Sequence, residues 1–200
     1  LIWVKEMIIR AVVKNSVGIE GEVTLNCIAN NKIKRKKGFN VYKEVEDDVK
    51  ILHTLGIIGC NGSGKTSIIY SIMALVDFAN FPFRKSNSHF KKTLEKLKKI
   101  NELNPNNIDD ILNKINNLNL PQTNVNHKDE DTFISLEIYV PNQKDYIAGY
   151  YTYSITYDSN YHKNGVKKEQ LLYRKKYNST KVVNIFEVEN VFESELGTAI

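Results

Sequence analysis

The sequence predicts an α/β fold, in which a mixed sheet with its helix and an antiparallel β subdomain flank a helical, asparagine-rich insertion. Three observations predict it. An apolar run at 51–58 precedes a glycine-rich loop and then a helical pattern at 67–78. Residues 101–126 contain ten asparagines, so a mobile helical insertion is expected there. Period-two alternation takes over after Pro121 and predicts antiparallel strands.

Composition restricts the class of protein. The 200 residues, with 42% hydrophobic and 26% charged, predict one globular domain. The net charge of +5 is compatible with an anionic partner but too small to indicate nucleic acid. No apolar stretch reaches the length of a membrane span, so no membrane contact is predicted. Cys27 and Cys60 make neither a disulfide framework nor a zinc site, and a reducing, cytoplasmic location is expected.

The N-terminal half contains three predicted strands. Residues 7–14 are rich in β-branched side chains, and 22–29 alternate apolar with polar residues after a turn at 15–18. The basic stretch 32–37 is interpreted as a solvated loop, with a nucleic-acid contact as the alternative. The run at 51–58 is short and almost continuously apolar, which is typical of a buried parallel strand.

The second half begins with the insertion, assigned to 81–131, whose two helical patterns between 90 and 118 are separated by Pro105. The antiparallel subdomain is assigned to 132–188. Its four predicted strands are 132–140, 146–158, 166–177 and 181–188. Seven of the eleven tyrosines lie between 139 and 161, where an aromatic ladder on a half-buried sheet accounts for them and base stacking is the alternative.

One motif carries chemistry. Residues 59–66, GCNGSGKT, match the pattern G-x-x-x-x-G-K-[ST] at every fixed position. Gly59, Gly62 and Gly64 let the backbone fold so that its N–H groups point at one anion. Asn61 and Ser63 are small polar spacers between them. The motif predicts a phosphate-binding loop.

The residues at the end of the motif have separate predicted roles. Lys65 is placed to reach the β- and γ-phosphates of a nucleotide, and the Thr66 hydroxyl is placed to ligate Mg²⁺. Ser67 can bond the α-phosphate, and the positive end of the following helix faces the same point. The cofactors predicted from this loop are ATP and Mg²⁺.

The stretch IIGCNGSGKTSIIYSIMAL resembles the loop of the ATP-binding-cassette-like ATPases. That branch includes the structural-maintenance-of-chromosomes proteins, the RecF-like repair ATPases and the OLD-family ATPases. Residues 8–30 resemble the first hairpin of the AAA-family ATPases of OLD-like and anti-phage defence systems, with Ser16 where that family has an aromatic residue. FISLEIYV, YYTYSITY and VKKEQLLYRKKY resemble its antiparallel subdomain.

The resemblance implies a P-loop NTPase lobe with its nucleotide-binding core at 7–80. It also implies a homodimer formed through the nucleotide site, and a nuclease, DNA or RNA as a further partner. The family's later parts have no counterpart: there is no four-apolar strand ending in Asp-Glu, no LSxG-like signature and no switch histidine. Residues 1–200 are therefore interpreted as one incomplete domain, the N-terminal portion of a longer ATPase or a degenerate copy.

These observations predict an ATP-binding lobe whose catalytic residues are unknown. A non-hydrolysing nucleotide-binding module and a small-molecule phosphotransferase are the alternatives. A GTPase is excluded because the closest string to N-K-x-D, at 142–145, reads NQKD. An acid of the meander, such as Glu137, is the alternative source of a catalytic carboxylate. No pair of the four histidines has metal-ligand spacing.

Overall fold

The computed structural model describes residues 7–30, 42–46, 49–79, 120–142, 147–160 and 166–189. These residues form eight strands and one helix: β1 Met7–Lys14, β2 Glu22–Asn26, β3 Tyr42–Glu46, β4 Val49–Leu52, α1 Lys65–Ala79, β5 Thr132–Val140, β6 Gly149–Tyr157, β7 Lys168–Arg174 and β8 Val183–Glu189. Among them, no helix is long and apolar enough to cross a membrane.

Six of the strands form a single sheet in the order β2-β1-β5-β6-β7-β8, and every neighbouring pair in it is antiparallel. The N-terminal hairpin β1–β2 belongs to this sheet because β1 pairs with β5 along its length. The register places Val13 opposite Ile134, and Ile134 opposite Ile155. Residues from both halves of the chain therefore share one layer.

Helix α1 covers one side of this sheet, which we call the helix face. Its buried residues Ile68, Leu75 and Phe78 recur at helical spacing and form one apolar stripe. The stripe packs in a single core with Val13 and Ile155 of the sheet. This packing fixes the N-terminal end of α1 beside the turn between β1 and β2.

The opposite side, the hairpin face, is covered by strands β3 and β4. They pair with each other as an antiparallel hairpin. Val49 and Ile51 of that hairpin pack against Ile9 and Tyr150. The Leu52 amide donates to the Cys27 carbonyl at 2.8 Å, so β4 is anchored to the chain just after β2.

The predicted α/β class with a mixed sheet is wrong, because no strand pair in the described residues is parallel. The error begins at residues 51–58. The strand β4 ends at Leu52, it pairs with antiparallel β3 and with no other described strand, and Ile58 is 98% exposed. A continuous apolar run signals a parallel strand only where parallel neighbours exist, and residues 53–58 have none among the described strands.

Most of the predicted insertion, residues 81–119, lies outside the described residues, including both helical patterns. The described part contradicts the expectation of mobility at 120–126. Leu120, Thr123 and Asn124 are buried, and the Tyr157 hydroxyl donates to the Pro121 carbonyl at 2.8 Å. Asparagine content gave the wrong expectation because these polar groups are hydrogen-bonded inside the protein.

Candidate phosphate-binding site

The predicted site residues lie together between the end of β4 and the first turn of α1. Asn61 and Ser63 are exposed in the loop, and Lys65 is half-buried at the first position of the helix. Thr66 is exposed and Ser67 half-buried in the same turn. The helix that the motif requires is therefore present, whereas the preceding buried strand is not.

The Lys65 side chain folds back over the loop. Its ammonium group donates to the carbonyl oxygens of Gly59 at 2.8 Å and Cys60 at 2.6 Å, and it lies 3.3 Å from the Ser63 hydroxyl. The positive charge of the Lys65 ammonium group therefore lies against residues 59–63 of the loop.

The N-terminal end of α1 lacks a side-chain cap. Gly64 precedes the helix, and its carbonyl accepts the first helical hydrogen bond, from Ile68, at 3.0 Å. A glycine offers no capping oxygen, and the first turn contains no acidic residue. Since the first N–H groups of a helix have no partner within it, they are available to an external anion.

Gly64 also makes a close contact with the turn between β1 and β2. Its φ of +80° lies in the left-handed region that glycine favours. A Cβ added there would lie 2.6 Å from the Gly18 carbonyl oxygen. By contrast, Gly62, with φ of +81°, has nothing within 4 Å of an added Cβ. The loop is therefore closed on the Gly64 side and open on the Gly62 side.

A hydroxyl chain ties α1 to the same turn. The Ser71 hydroxyl donates to the Ser67 carbonyl at 2.8 Å, which uses its only hydrogen. The Ser16 hydroxyl, 3.0 Å from the Ser71 oxygen, must then be the donor of that hydrogen bond. Ser16 and Ser71 are completely buried. A buried and satisfied pair of this kind fixes the distance between the two segments.

Asn15 connects the turn to residues 120–132. It is buried, with φ of +50°, a conformation that asparagine tolerates better than most residues. Its side-chain amide donates to the carbonyls of His127 at 2.9 Å and Glu130 at 2.8 Å. Its own carbonyl lies 2.7 Å from the Thr132 hydroxyl, which donates to it. Residues 127–132, more than one hundred positions later in the sequence, thus hold the turn in place.

His127 adds a charged contact to this connection. Its Nε2 lies 3.1 Å from a Glu20 carboxylate oxygen, and its Nδ1 lies 3.3 Å from one of Glu130. The hydrogen bond with Glu20 and the nearby charge of Glu130 raise the pKa of His127. This surface contact links the end of the β1–β2 turn to the same later segment.

Glu137, the alternative catalytic acid, lies elsewhere. It alternates with Ile134 and Leu136 along β5 and therefore points to the hairpin face, away from α1. Its side chain is 2% exposed and is paired with Arg174, while Arg10 Nε lies 3.5 Å from its second oxygen. A carboxylate held in this way is not available to the phosphate loop.

In the described part of the chain, no group of three or more His, Cys, Asp or Glu side chains could hold a metal ion. A metal at the loop would therefore depend on Thr66 and on phosphate oxygens.

The two cysteines differ in surroundings. Cys60 is exposed in the loop, whereas partial burial raises the pKa of Cys27.

Sequence reasoning missed the supporting residues of the site. Residues 15–18 were interpreted as an ordinary turn, and no role was given to Ser71. The available signal was local: an asparagine and a glycine, the two residue types that most readily adopt positive φ, occur three positions apart beside a buried serine. Nothing local indicates that this turn contacts the loop at 59–66.

Comparison with known proteins identifies no family for this chain: no family model, no curated protein and no solved structure matches it.

Proposed function

We propose that residues 59–67 bind the phosphates of ATP together with Mg²⁺. The observation that carries the proposal is the position of the Lys65 ammonium group over the loop, directly beside an uncapped helix N-terminus. Both features attract an anion, and they lie beside each other because Lys65 is the first residue of α1. The full match to G-x-x-x-x-G-K-[ST] supports a nucleotide phosphate as that anion.

The residues present fit the two predicted cofactors. Lys65 would reach the terminal phosphates by leaving the carbonyls of Gly59 and Cys60. Thr66, exposed in the first turn of α1, would contribute its hydroxyl to Mg²⁺, and Ser67 would bond the α-phosphate. The ion, when bound, neutralises phosphate charge. The resemblance to cassette-like ATPases, the dimer and nucleic-acid or nuclease partners that it implies, and a cytoplasmic location remain predictions.

The proposal is tested by calorimetric titration of the chain with ATP in the presence and absence of Mg²⁺. Wild-type protein should bind MgATP more tightly than ATP alone. Thr66→Ala should remove most of that difference while retaining binding of ATP, because only the metal-ligating hydroxyl is lost. Thr66→Ser is the matched control and should behave as wild type. An unchanged magnesium effect in Thr66→Ala would exclude the metal role.

Alkylation of Cys60 gives an independent readout of the same site. Because Cys60 is exposed in the loop, bound MgATP should slow its reaction with iodoacetamide. Cys27 serves as the internal control, since its raised pKa makes it less reactive and it lies away from the loop. Equal protection of both cysteines would point to a general change in the protein instead of ligand at the loop.

The chain should hydrolyse ATP slowly. Phosphoryl transfer needs a group that places the attacking water, and holding the ground state alone does not accelerate the chemical step. Glu137, the acid that the sequence offered, is paired with Arg174 on the hairpin face. A phosphate-release assay should give turnover well below the range of about 1–100 per second that is typical of such enzymes. Turnover within that range and abolished by Lys65→Ala would show that another residue of the chain performs this role.

A further inference from the structure

The turn between β1 and β2 contacts the phosphate loop and α1 at three points. Gly64 of the loop lies against the Gly18 carbonyl, Ser71 of the helix is bonded to Ser16, and a Cβ added at Gly18 would lie 2.8 Å from the Ser67 hydroxyl oxygen. These contacts join the turn to the loop and to the first two turns of α1, whereas a Cβ added at Gly62 would meet nothing within 4 Å. The turn therefore supports the loop at Gly64 and supports the N-terminal part of α1.

The turn between β1 and β2 is itself held in place by hydrogen bonds and by burial. The Val17 amide donates to the Gln122 carbonyl at 2.8 Å, and the Ile19 amide donates to the Ser16 carbonyl at 2.8 Å. Ile19 is 3% exposed and packs in the core with α1. The Asn124 side chain donates to the Ile19 carbonyl at 2.9 Å. Because Asn15, Ser16 and Ile19 are buried and Val17 is bonded to Gln122, the turn cannot yield easily when the loop presses on it.

From this geometry we infer that Gly18 and Ser16 are positioning residues for nucleotide binding, acting through Gly64 and the first turn of α1. The inference rests on the proposed function of the loop. Neither residue needs to touch the ligand. Their role is to hold the loop amides and the helix N-terminus in one arrangement before the ligand arrives, so that binding requires no ordering of the loop.

Gly18→Ala tests the inference, and Gly21→Ala is its matched control. Both glycines belong to the same turn and have nearly equal positive φ, +70° and +74°. They differ in surroundings: a Cβ at Gly18 meets Ser67, whereas a Cβ at Gly21 meets nothing within 4 Å. Any loss that comes from backbone strain alone should therefore be shared by the two variants.

We expect Gly18→Ala to raise the Kd for MgATP by about tenfold, equal to about 1.4 kcal/mol, whereas Gly21→Ala should leave the Kd close to that of wild type. Thermal unfolding should show a loss of stability in both, because both place an alanine at positive φ. Ser16→Ala, which removes a hydrogen bond without adding an atom, should raise the Kd by a smaller factor. Equal Kd values for Gly18→Ala and Gly21→Ala would overturn the inference.

Hydrogen exchange without nucleotide separates this inference from the proposed function. Gly18→Ala should speed amide exchange in peptides covering residues 59–68, and Gly21→Ala should not. If wild-type protein fails to bind MgATP, the proposed function is lost, and the exchange result still decides whether the turn positions the loop. Unchanged exchange in Gly18→Ala would refute the positioning role even in a protein that binds nucleotide.

Discussion

MgATP should bind the Lys65→Ala variant roughly ten- to a hundredfold more weakly than wild-type protein. A hydrogen bond to a charged group contributes about 1.5–3 kcal/mol, and about 1.4 kcal/mol changes affinity tenfold. Lys65 is the charged group of the loop; it is bonded to the Gly59 and Cys60 carbonyls, which a phosphate would replace in the proposed complex. Titration calorimetry of the two proteins measures the difference.

Lys43→Ala is the control for that comparison. Lys43 is exposed on β3, and its removal changes the net charge of the protein by the same amount. Its affinity for MgATP should equal that of wild type, because surface charges distant from the ligand are screened by salt. If Lys65→Ala binds as tightly as Lys43→Ala, the loop is not a phosphate site.

The largest expected change in stability comes from Arg174→Leu. Among the described residues, this substitution leaves the carboxylate of Glu137, 2% exposed, with Arg10 as its one ion-pair partner; the Arg10 side chain is 46% exposed and its Nε is 3.5 Å away. Breaking a buried ion pair by removing one partner costs about 3–5 kcal/mol, and the partial exposure of Arg174 favours the lower end. Urea denaturation should show the free energy of unfolding reduced by about 3 kcal/mol.

Two further variants identify the cause of that loss. The double variant Glu137→Leu with Arg174→Leu should recover most of the stability, because no buried charge is then left unpaired. Lys167→Leu breaks an exposed ion pair with Asp131, 2.7 Å long, and should cost less than about 1 kcal/mol. A double variant no more stable than Arg174→Leu would show that lost packing, not the unpaired charge, is responsible. None of these three variants should change the Kd for MgATP, since Glu137 and Arg174 lie on the hairpin face and Lys167 is paired with Asp131 and Asp158, neither of which belongs to the loop.

Strand positions could be predicted because side-chain alternation is a local property. Strands β1 and β5 have the predicted bounds, and burial alternates along most of β1. The helical pattern at 67–78 likewise lies inside α1. Which strands become neighbours is not local, and this is where the predicted α/β class failed.

The pairing of β4 shows why. The apolar run beginning at Ile51 would suit a strand buried between parallel neighbours, yet β4 pairs with β3, whose sequence YKEVE has no apolar alternation and was missed. Ile9 and Tyr150 pack against Ile51, so the burial of Ile51 does not need residues 53–58 to continue as a strand. The composition of a run therefore predicted burial for Ile51 correctly and for Ile58 incorrectly.

The candidate site likewise has one part that the sequence predicts and another part that it does not. The residues of the loop are consecutive, so a spacing pattern was enough to find Gly59 through Thr66. Its supporting contacts join Gly18 to Gly64 and Ser16 to Ser71 across long stretches of chain. Short, neutral residues in ordinary turns and helices give no pattern from which such contacts could be deduced.

The position of β1 between β2 and β5 has a consequence for how the protein is made. Val13 pairs with Ile134, 121 residues later, and at roughly 5–20 residues per second the ribosome needs roughly 6–24 seconds to supply that partner. Until then the edge of β1 that pairs with β5 is open, and an isolated hairpin is only marginally stable in water. Closing so long a loop also slows folding after release. The phosphate loop, which rests on the β1–β2 turn, can therefore reach its final arrangement only after residues 120–134 have been synthesised.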